Sequence, residues 1–319
     1  MSLTILDNKQ QYRAFCLQEK SIPIFSRDWW LDAVCGEKNW DVAIVQNNNQ
    51  IIGTLPYYKK VKMGKIILSQ PSLTPRLGPW IRPAASKYAH ELGHQKDVME
   101  LLIKQLPKYS HFIQHWPCSV TNWLPFFWNG FQQTTLYTYV LNDLENLDKI
   151  WGDFQENIRR DIRKAQKTLT VKTDMSVDDF MNIQIKTYAR QNLSLPFSKD
   201  LFLRIHQACL HKNCSKIFSA VDEKDRVHAA LYIVWDENSA YGLVSGRDPD
   251  LKSGGSAAML LWEAIQFCST TTKKFDFSGS MIEPIERFLR AFGAIQTPYF
   301  RLFKTPSRLL KITNFLRTF

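Results

Sequence analysis

Apolar and polar positions fall into two passages of similar grammar. In the first, Asp41–Gln46 and Ile51–Lys60 alternate with a period of two on either side of Asn47–Asn49, a turn whose asparagines tolerate positive φ. A short helix over Asp28–Cys35 precedes them, and Lys65–Gln70 reads as a third strand. Pro75, Gly78 and Pro79 break the chain between Pro71 and Pro83 into a long connection. A helix is expected over about Ala84–Leu106, where Val98, Leu101 and Leu102 recur at turn spacing and Pro107 ends the run. Strands Ser110–Trp116 and Thr134–Leu141 flank a short aromatic helix at Asn122–Trp128.

The second passage opens with helices over Leu144–Lys167 and Val177–Gln191. Strands Lys216–Asp222, Val227–Trp235 and Ala240–Arg247 follow, then a long helix from Gly255 to Thr271. Strand Phe275–Ser278, helix Glu283–Phe292 and strand Pro298–Lys304 complete it. Each passage therefore gives helix, three strands, helix, strand, helix, strand. A repeated element order of this kind points to duplication of one plan. Three antiparallel strands followed by βα alternation predict an α/β fold with a mixed, α+β-like sheet. The 319 residues suffice for two domains. We place them at residues 1–145 and 146–319, with the junction near Asn142–Ile150.

Composition narrows the function classes. With 45% hydrophobic and 22% charged residues the chain reads as an ordinary globular protein. No apolar run approaches the ~18 residues that a membrane span needs. Met1–Arg13 lacks the basic flank and apolar core of a signal peptide. The expected location is the cytoplasm. The net charge of +11 favours polyanionic partners, among them RNA, anionic lipid or a phosphate-rich cofactor. None of the six cysteines forms a CxxC pair, and Cys209, His211 and Cys214 lack a fourth ligand at zinc-site spacing, so no metal is expected.

Three stretches carry candidate chemistry. The first runs from Ser245 to Ser256, leaving a strand, turning, and opening a helix. Gly246, Gly254 and Gly255 would let a ligand approach the backbone, Ser253 and Ser256 add hydroxyls, and Arg247 adds charge. The free N–H groups of a first helical turn suit a phosphate. On this basis Gly255→Asp is expected to abolish donor binding while leaving thermal unfolding nearly unchanged. The second stretch is Phe275-Asp276-Phe277-Ser278-Gly279-Ser280, a strand reaching small residues, followed by a helix that begins near Glu283 and Pro284. Ser278 and Ser280 would face a substrate crevice. The third is the helix Asn157–Lys167, on which Arg159, Arg160 and Arg163 form a basic ridge suited to phosphate or carboxylate. Arg76 lies in the loop Ser69–Gly78, a long connection of the sort that carries binding residues.

In this order the three stretches resemble the FemAB-like branch of the GNAT acyltransferase superfamily. The likeness covers Asn157 to Lys304 and rests on the N-x-R-R-x-I-R-K-A helix, the Gly-Gly-Ser helix start, the F-D-F-x-G-S strand and the helix ending in Phe292-Gly293. The resemblance implies two tandem GNAT-like domains, the first on the acceptor side and the second holding the donor. It implies acyl-CoA (acetyl-CoA among the candidates) as donor and the amine of a small molecule or glycan as acceptor. Some members of the branch use aminoacyl-tRNA to extend peptidoglycan peptides, which makes tRNA an alternative partner. A non-catalytic binding module of the same fold is the third reading. Lys252-Ser253-Gly254-Gly255-Ser256-Ala257 only approximates the usual phosphate loop, and the oligomeric state is left open. Acylation of an amine needs a base, donors for the carbonyl oxygen and close positioning, with no enzyme nucleophile. Glu283, then Asp276, then His228 are the candidate bases, and a strand N–H near Val244–Gly246 is the candidate oxyanion donor.

Overall fold

The computed structural model describes residues 7–84, 87–251, 254–279 and 281–307. The chain forms two compact units, one made of residues up to Leu136 together with those from Pro298 on, the other of Tyr137–Thr297.

The first unit begins with α1 (Asn8–Gln18) and α2 (Asp28–Cys35), followed by β1 (Trp40–Asn47), β2 (Gln50–Lys62), β3 (Lys65–Ser69) and the short β4 (Trp80–Ile81). Then come α3 (Tyr88–Gln105), β5 (His111–His115), α4 (Leu124–Trp128) and the start of β6 (Gln132–Leu141). In the second unit α5 (Leu147–Asp153), α6 (Glu156–Ala165), β7 (Thr170–Lys172), α7 (Val177–Ala189) and α8 (Lys199–His211) precede β8 (Ser215–Val221), β9 (Val227–Trp235) and β10 (Ser239–Arg247). It continues with α9 (Ser256–Cys268), β11 (Lys274–Asp276) and α10 (Glu283–Arg290), and β12 (Ile295–Lys304) carries the chain back into the first unit.

The sheet of the first unit has the order β1-β2-β3-β5-β12, with β4 beside β2. β3 and β5 run parallel, Ile67 opposite His111, and β12 is antiparallel to β5, Arg301 opposite His115. Because β3 and β5 are parallel, Ser69 and His115 end at the same edge of the sheet. Leu55, Leu68, Leu102, Phe112, Trp116, Phe126 and Leu302 are fully buried and fill the space between this sheet and α3.

The sheet of the second unit has the order β6-β11-β10-β9-β8-β7. β8, β9 and β10 form an antiparallel meander, and β11 joins β10 in parallel. α9 is apolar nearly all round, with Met259, Leu260, Ala264 and Ile265 each 1% exposed or less, because it lies between the sheet and α6. The helix expected over Leu144–Lys167 is broken in two. Phe154 and Gln155 are extended, which sends Phe154 into an aromatic cluster with Trp262 and Phe292, both ring centroids within 5.3 Å. Burial of that ring outweighs continuation of the helix.

Candidate functional site

β10 pairs with β11 only from Ser239 to Tyr241, opposite Lys274 to Asp276. β10 then runs on to Arg247 paired with β9 alone, and its ladder shifts register between Gly242 and Val244. A bulge of this kind re-aims backbone groups. The backbone of residues 242–247 therefore faces the β11 side without a strand partner, and its N–H and C=O groups must find other company. Part of it does: Thr187 of α7 accepts from Arg247 N at 2.9 Å and donates to Arg247 O at 3.0 Å. Val244 to Gly246, where the sequence placed the oxyanion donor, lie just beyond the shift.

At the far end of β10 a cavity of about 270 Å³ is lined by Arg190, His228, Arg247, Asp248, Pro249, Leu251, Gly254 and Ser256. Neither Arg190 nor Arg247 enters a side-chain hydrogen bond or ion pair among the described residues, so both guanidinium groups are available to a ligand. The one carboxylate in the lining is committed elsewhere: Asp248 accepts from Lys186 Nζ at 2.6 Å. Burial alone would raise the Asp248 pKa, but Lys186 and the Asp250 N–H more than offset it, and the group stays below its ordinary range. His228 is 8% exposed. Its Nε2 lies 3.0 Å from Asp222 Oδ2, which fixes Nε2 as the donor toward the carboxylate. His228 and Arg226 together hold Asp222 well below the usual carboxylate range. Nδ1 of His228 is buried without a partner. The N-terminal turn of α9 completes the wall. Gly255 has φ +94 and caps α9, and Met259 N bonds back to Gly255 O. Two free guanidinium groups and a helix N-terminus make this cavity cationic, which fits a phosphate.

The three glycines divide. A Cβ added at Gly254 would meet nothing within 4 Å, so this residue is open to a ligand. At Gly255 it would stand 2.2 Å from the Asp161 carbonyl oxygen of α6. At Gly246 it would stand 2.7 Å from the Gln184 and Thr187 side chains of α7. Gly246 and Gly255 are thus close-packing contacts with neighbouring helices. The expectation that Gly255→Asp leaves stability untouched is corrected: both the left-handed backbone and the clash with α6 oppose any side chain there.

Of the candidate bases, His228 lines the cavity, and Asp276 lies at the point where β10 and β11 part. Asp276 is 7% exposed, and its Oδ1 accepts from Thr138 Oγ1 and, at 2.7 Å, from Ser278 N. Ser278 is left-handed, φ 60, with its hydroxyl buried and unpartnered. Glu283, the first residue of α10, is exposed and outside the cavity lining. Its neighbour Glu286 makes the contacts, accepting from Tyr139 Oη at 2.5 Å and from Arg290 Nε at 2.9 Å. On the basic ridge, Glu156 pairs with Arg159 at 2.8 Å and with Arg163 at 3.4 Å, while Arg160 projects outward with Asp161 at 3.6 Å. Arg76 lies in the first unit and is 5% exposed. Ser253 and Ser280 lie outside the described residues. Sequence reasoning missed Arg190, which ends α7, and Lys186 one turn before it. Their signal was weak, because only the tertiary packing of α7 on β10 brings them to the cavity.

Residues 152–284 match the family model of the acetyltransferase (GNAT) domain. The second unit carries a GNAT domain. No curated protein matches the sequence. Among solved structures the chain is similar to FemX, at 10% identity over 93% of this chain and 96% of that one, TM-score 0.66. It is similar to L-PGS from Bacillus licheniformis, at 11% identity over 100% and 98%, TM-score 0.56. It is also similar to the C-terminal domain (DUF2156) of a putative lysylphosphatidylglycerol synthetase from Agrobacterium fabrum, at 12% identity over 92% and 90%, TM-score 0.54. At such identities these likenesses show the fold. That fold, shared with FemX and L-PGS, is an α/β architecture built on mixed sheets. Within the GNAT domain, the stretch of β10 that leaves β11 and the cationic cavity before α9 are neighbours along one strand. Among the described residues no helix is long and apolar enough to cross a membrane.

Proposed function

We propose that the protein transfers an acyl group from an acyl-CoA to the amine of a small molecule or glycan, working in the cytoplasm. The observation that carries this reading is the cationic cavity at the end of a strand whose backbone lacks a partner on one side. Arg190, Arg247 and the backbone at Gly254–Ser256 would hold the phosphates, with His228, oriented by Asp222, lining the wall beside them. The acyl arm would lie along residues 242–247, with its carbonyl oxygen accepting from a backbone N–H near Val244–Gly246. The amine nitrogen attacks the thioester carbon, the C–S bond breaks, and the thiolate leaves with the electron pair. The amine proton passes to Asp276, at the vertex between β10 and β11, directly or through water. In this assignment Glu283, which is outside the cavity lining, takes no part in the proton transfer.

A second reading, transfer from aminoacyl-tRNA, is favoured by the net charge of +11 and by the outward-facing Arg160 and Lys164 on α6. Calorimetry with acetyl-CoA and with an aminoacyl-tRNA tests both. Saturable binding of acetyl-CoA supports the first, and binding of the tRNA alone supports the second. Binding of neither leaves a module that does not catalyse transfer.

A further inference from the structure

The loop between β3 and β4 holds a cation that no carboxylate among the described residues neutralises. Arg76 is 5% exposed, and its guanidinium lies 3.4 Å from the centre of the Tyr299 ring. Nη1 donates to Pro75 O at 3.0 Å. Nε and Nη2 are buried and have no hydrogen-bond partner. Those two atoms form one edge of the guanidinium, the fork that takes both oxygens of a carboxylate or two of a phosphate. No ion pair reaches Arg76 among the described residues. The sequence agrees: residues 65–84, from β3 through the loop to β4 and beyond, and residues 111–116 and 298–304 contain no Asp or Glu.

The surroundings are fixed and add charge of the same sign. Gln70 accepts from His115 N at 2.6 Å and donates to Thr74 O. Leu77 N donates to His115 O at 2.6 Å, and Trp30 Nε1 donates to Thr74 Oγ1 at 3.1 Å. The loop is thus pinned from both sides before any ligand arrives. Arg301 lies opposite His115 on β12, and burial with these two arginines pushes the His115 pKa down to about 4. The group sits at the carboxyl ends of the parallel pair β3 and β5, where open α/β sheets place ligands.

A buried, unpaired guanidinium is costly unless something compensates it. We propose that Arg76 is the anchor of an oxyanion-binding site in the first unit, which takes a carboxylate or phosphate group through its Nε–Nη2 edge. That this oxyanion belongs to the acceptor rests on the transfer reading; the binding itself does not.

The His115 ring provides a local readout, because the Arg76 charge acts on it directly. Acetate and methyl phosphate are titrated at neutral pH while the His115 ring resonances, assigned with His115→Gln, are followed. One of them should shift those resonances saturably, and the one that binds more tightly names the class. Arg76→Met, which keeps an apolar stem on Tyr299, should weaken that binding about ten- to a hundredfold, as for hydrogen bonds to a charged group. It should not lower the melting midpoint, because it removes an uncompensated buried charge. Absence of a shift with either anion in the folded wild type overturns the proposal. So does a Met variant that melts lower and binds the anion as well as wild type does. A protein that binds the anion but transfers no acyl group refutes the transfer reading alone.

Discussion

Gly255→Ala tests whether the start of α9 is set by packing or by a ligand. The alanine Cβ would stand 2.2 Å from Asp161 O and 2.7 Å from its carbonyl carbon, both backbone atoms of α6 that cannot rotate away. The left-handed backbone costs an L-residue about 1–2 kcal/mol, and overpacking a tight contact adds about 1–3 kcal/mol. Together they predict a loss on the order of 2–5 kcal/mol, because the two costs arise from different atoms. In a domain of this size that lowers the melting midpoint by roughly 4–20 °C. Gly254→Ala is the control. Its Cβ meets nothing within 4 Å, yet the residue lines the cavity. It should melt like wild type and lose donor affinity. Thermal melts followed by circular dichroism, with calorimetry on the same samples, give both quantities. Refutation is simple to recognise: Gly255→Ala melting within about 1 °C of wild type would mean that α6 and α9 do not meet as described.

Three further outcomes follow from the geometry. Arg247→Glu or Arg190→Glu should weaken acetyl-CoA binding roughly ten- to a hundredfold without altering the melt, and an unchanged dissociation constant would remove the phosphates from that cavity. Asp276→Asn keeps the Oδ1 acceptor for Thr138 and Ser278 N but cannot take a proton; turnover should fall about a hundredfold or more with little change in KM, and full activity would exclude Asp276 as the base. Burial first, then Arg76 and Arg301, hold His115 at about 4, below the ~6.5 of an unfolded chain, so the unfolded state takes up this proton first. The stability from the neutral ring is complete above pH ~6.5 and is lost as the pH falls toward 4. Denaturant titrations across that range should show a shallower pH slope for His115→Gln, and an identical slope would contradict the assignment.

Much of the second unit was legible in the chain. Val227–Trp235 is strand β9 with the same bounds, and the Gly-Gly-Ser segment opens α9. These features are local: period-two alternation, a glycine pair, a long apolar run. α8 was overlooked, although Ser198 as cap and Phe202, Ile205 and Cys209 at turn spacing spell it out. The role of Gly255 was misjudged because a glycine that admits a ligand and one that admits a neighbouring helix look alike in sequence. Arg76 was chosen for its loop, but its lack of a partner could be seen only once Tyr299, more than two hundred positions later, was placed beneath it.

The return of β12 to the first unit has a consequence for synthesis. β5 pairs with β3 on one side but gains its second partner only after Arg301–Lys304 has been made, whereas β7 to β11 all lie within Tyr137–Thr297. On a ribosome the amino-terminal half must wait, incomplete at one edge, for on the order of ten seconds while the intervening stretch is translated. That interval leaves β5 an open template, so nascent chains stalled before Pro298 should be sensitive to protease in the first unit and resistant in the second. A stop codon that removes β12 would cost more than one strand, because it also takes away the ring on which Arg76 rests.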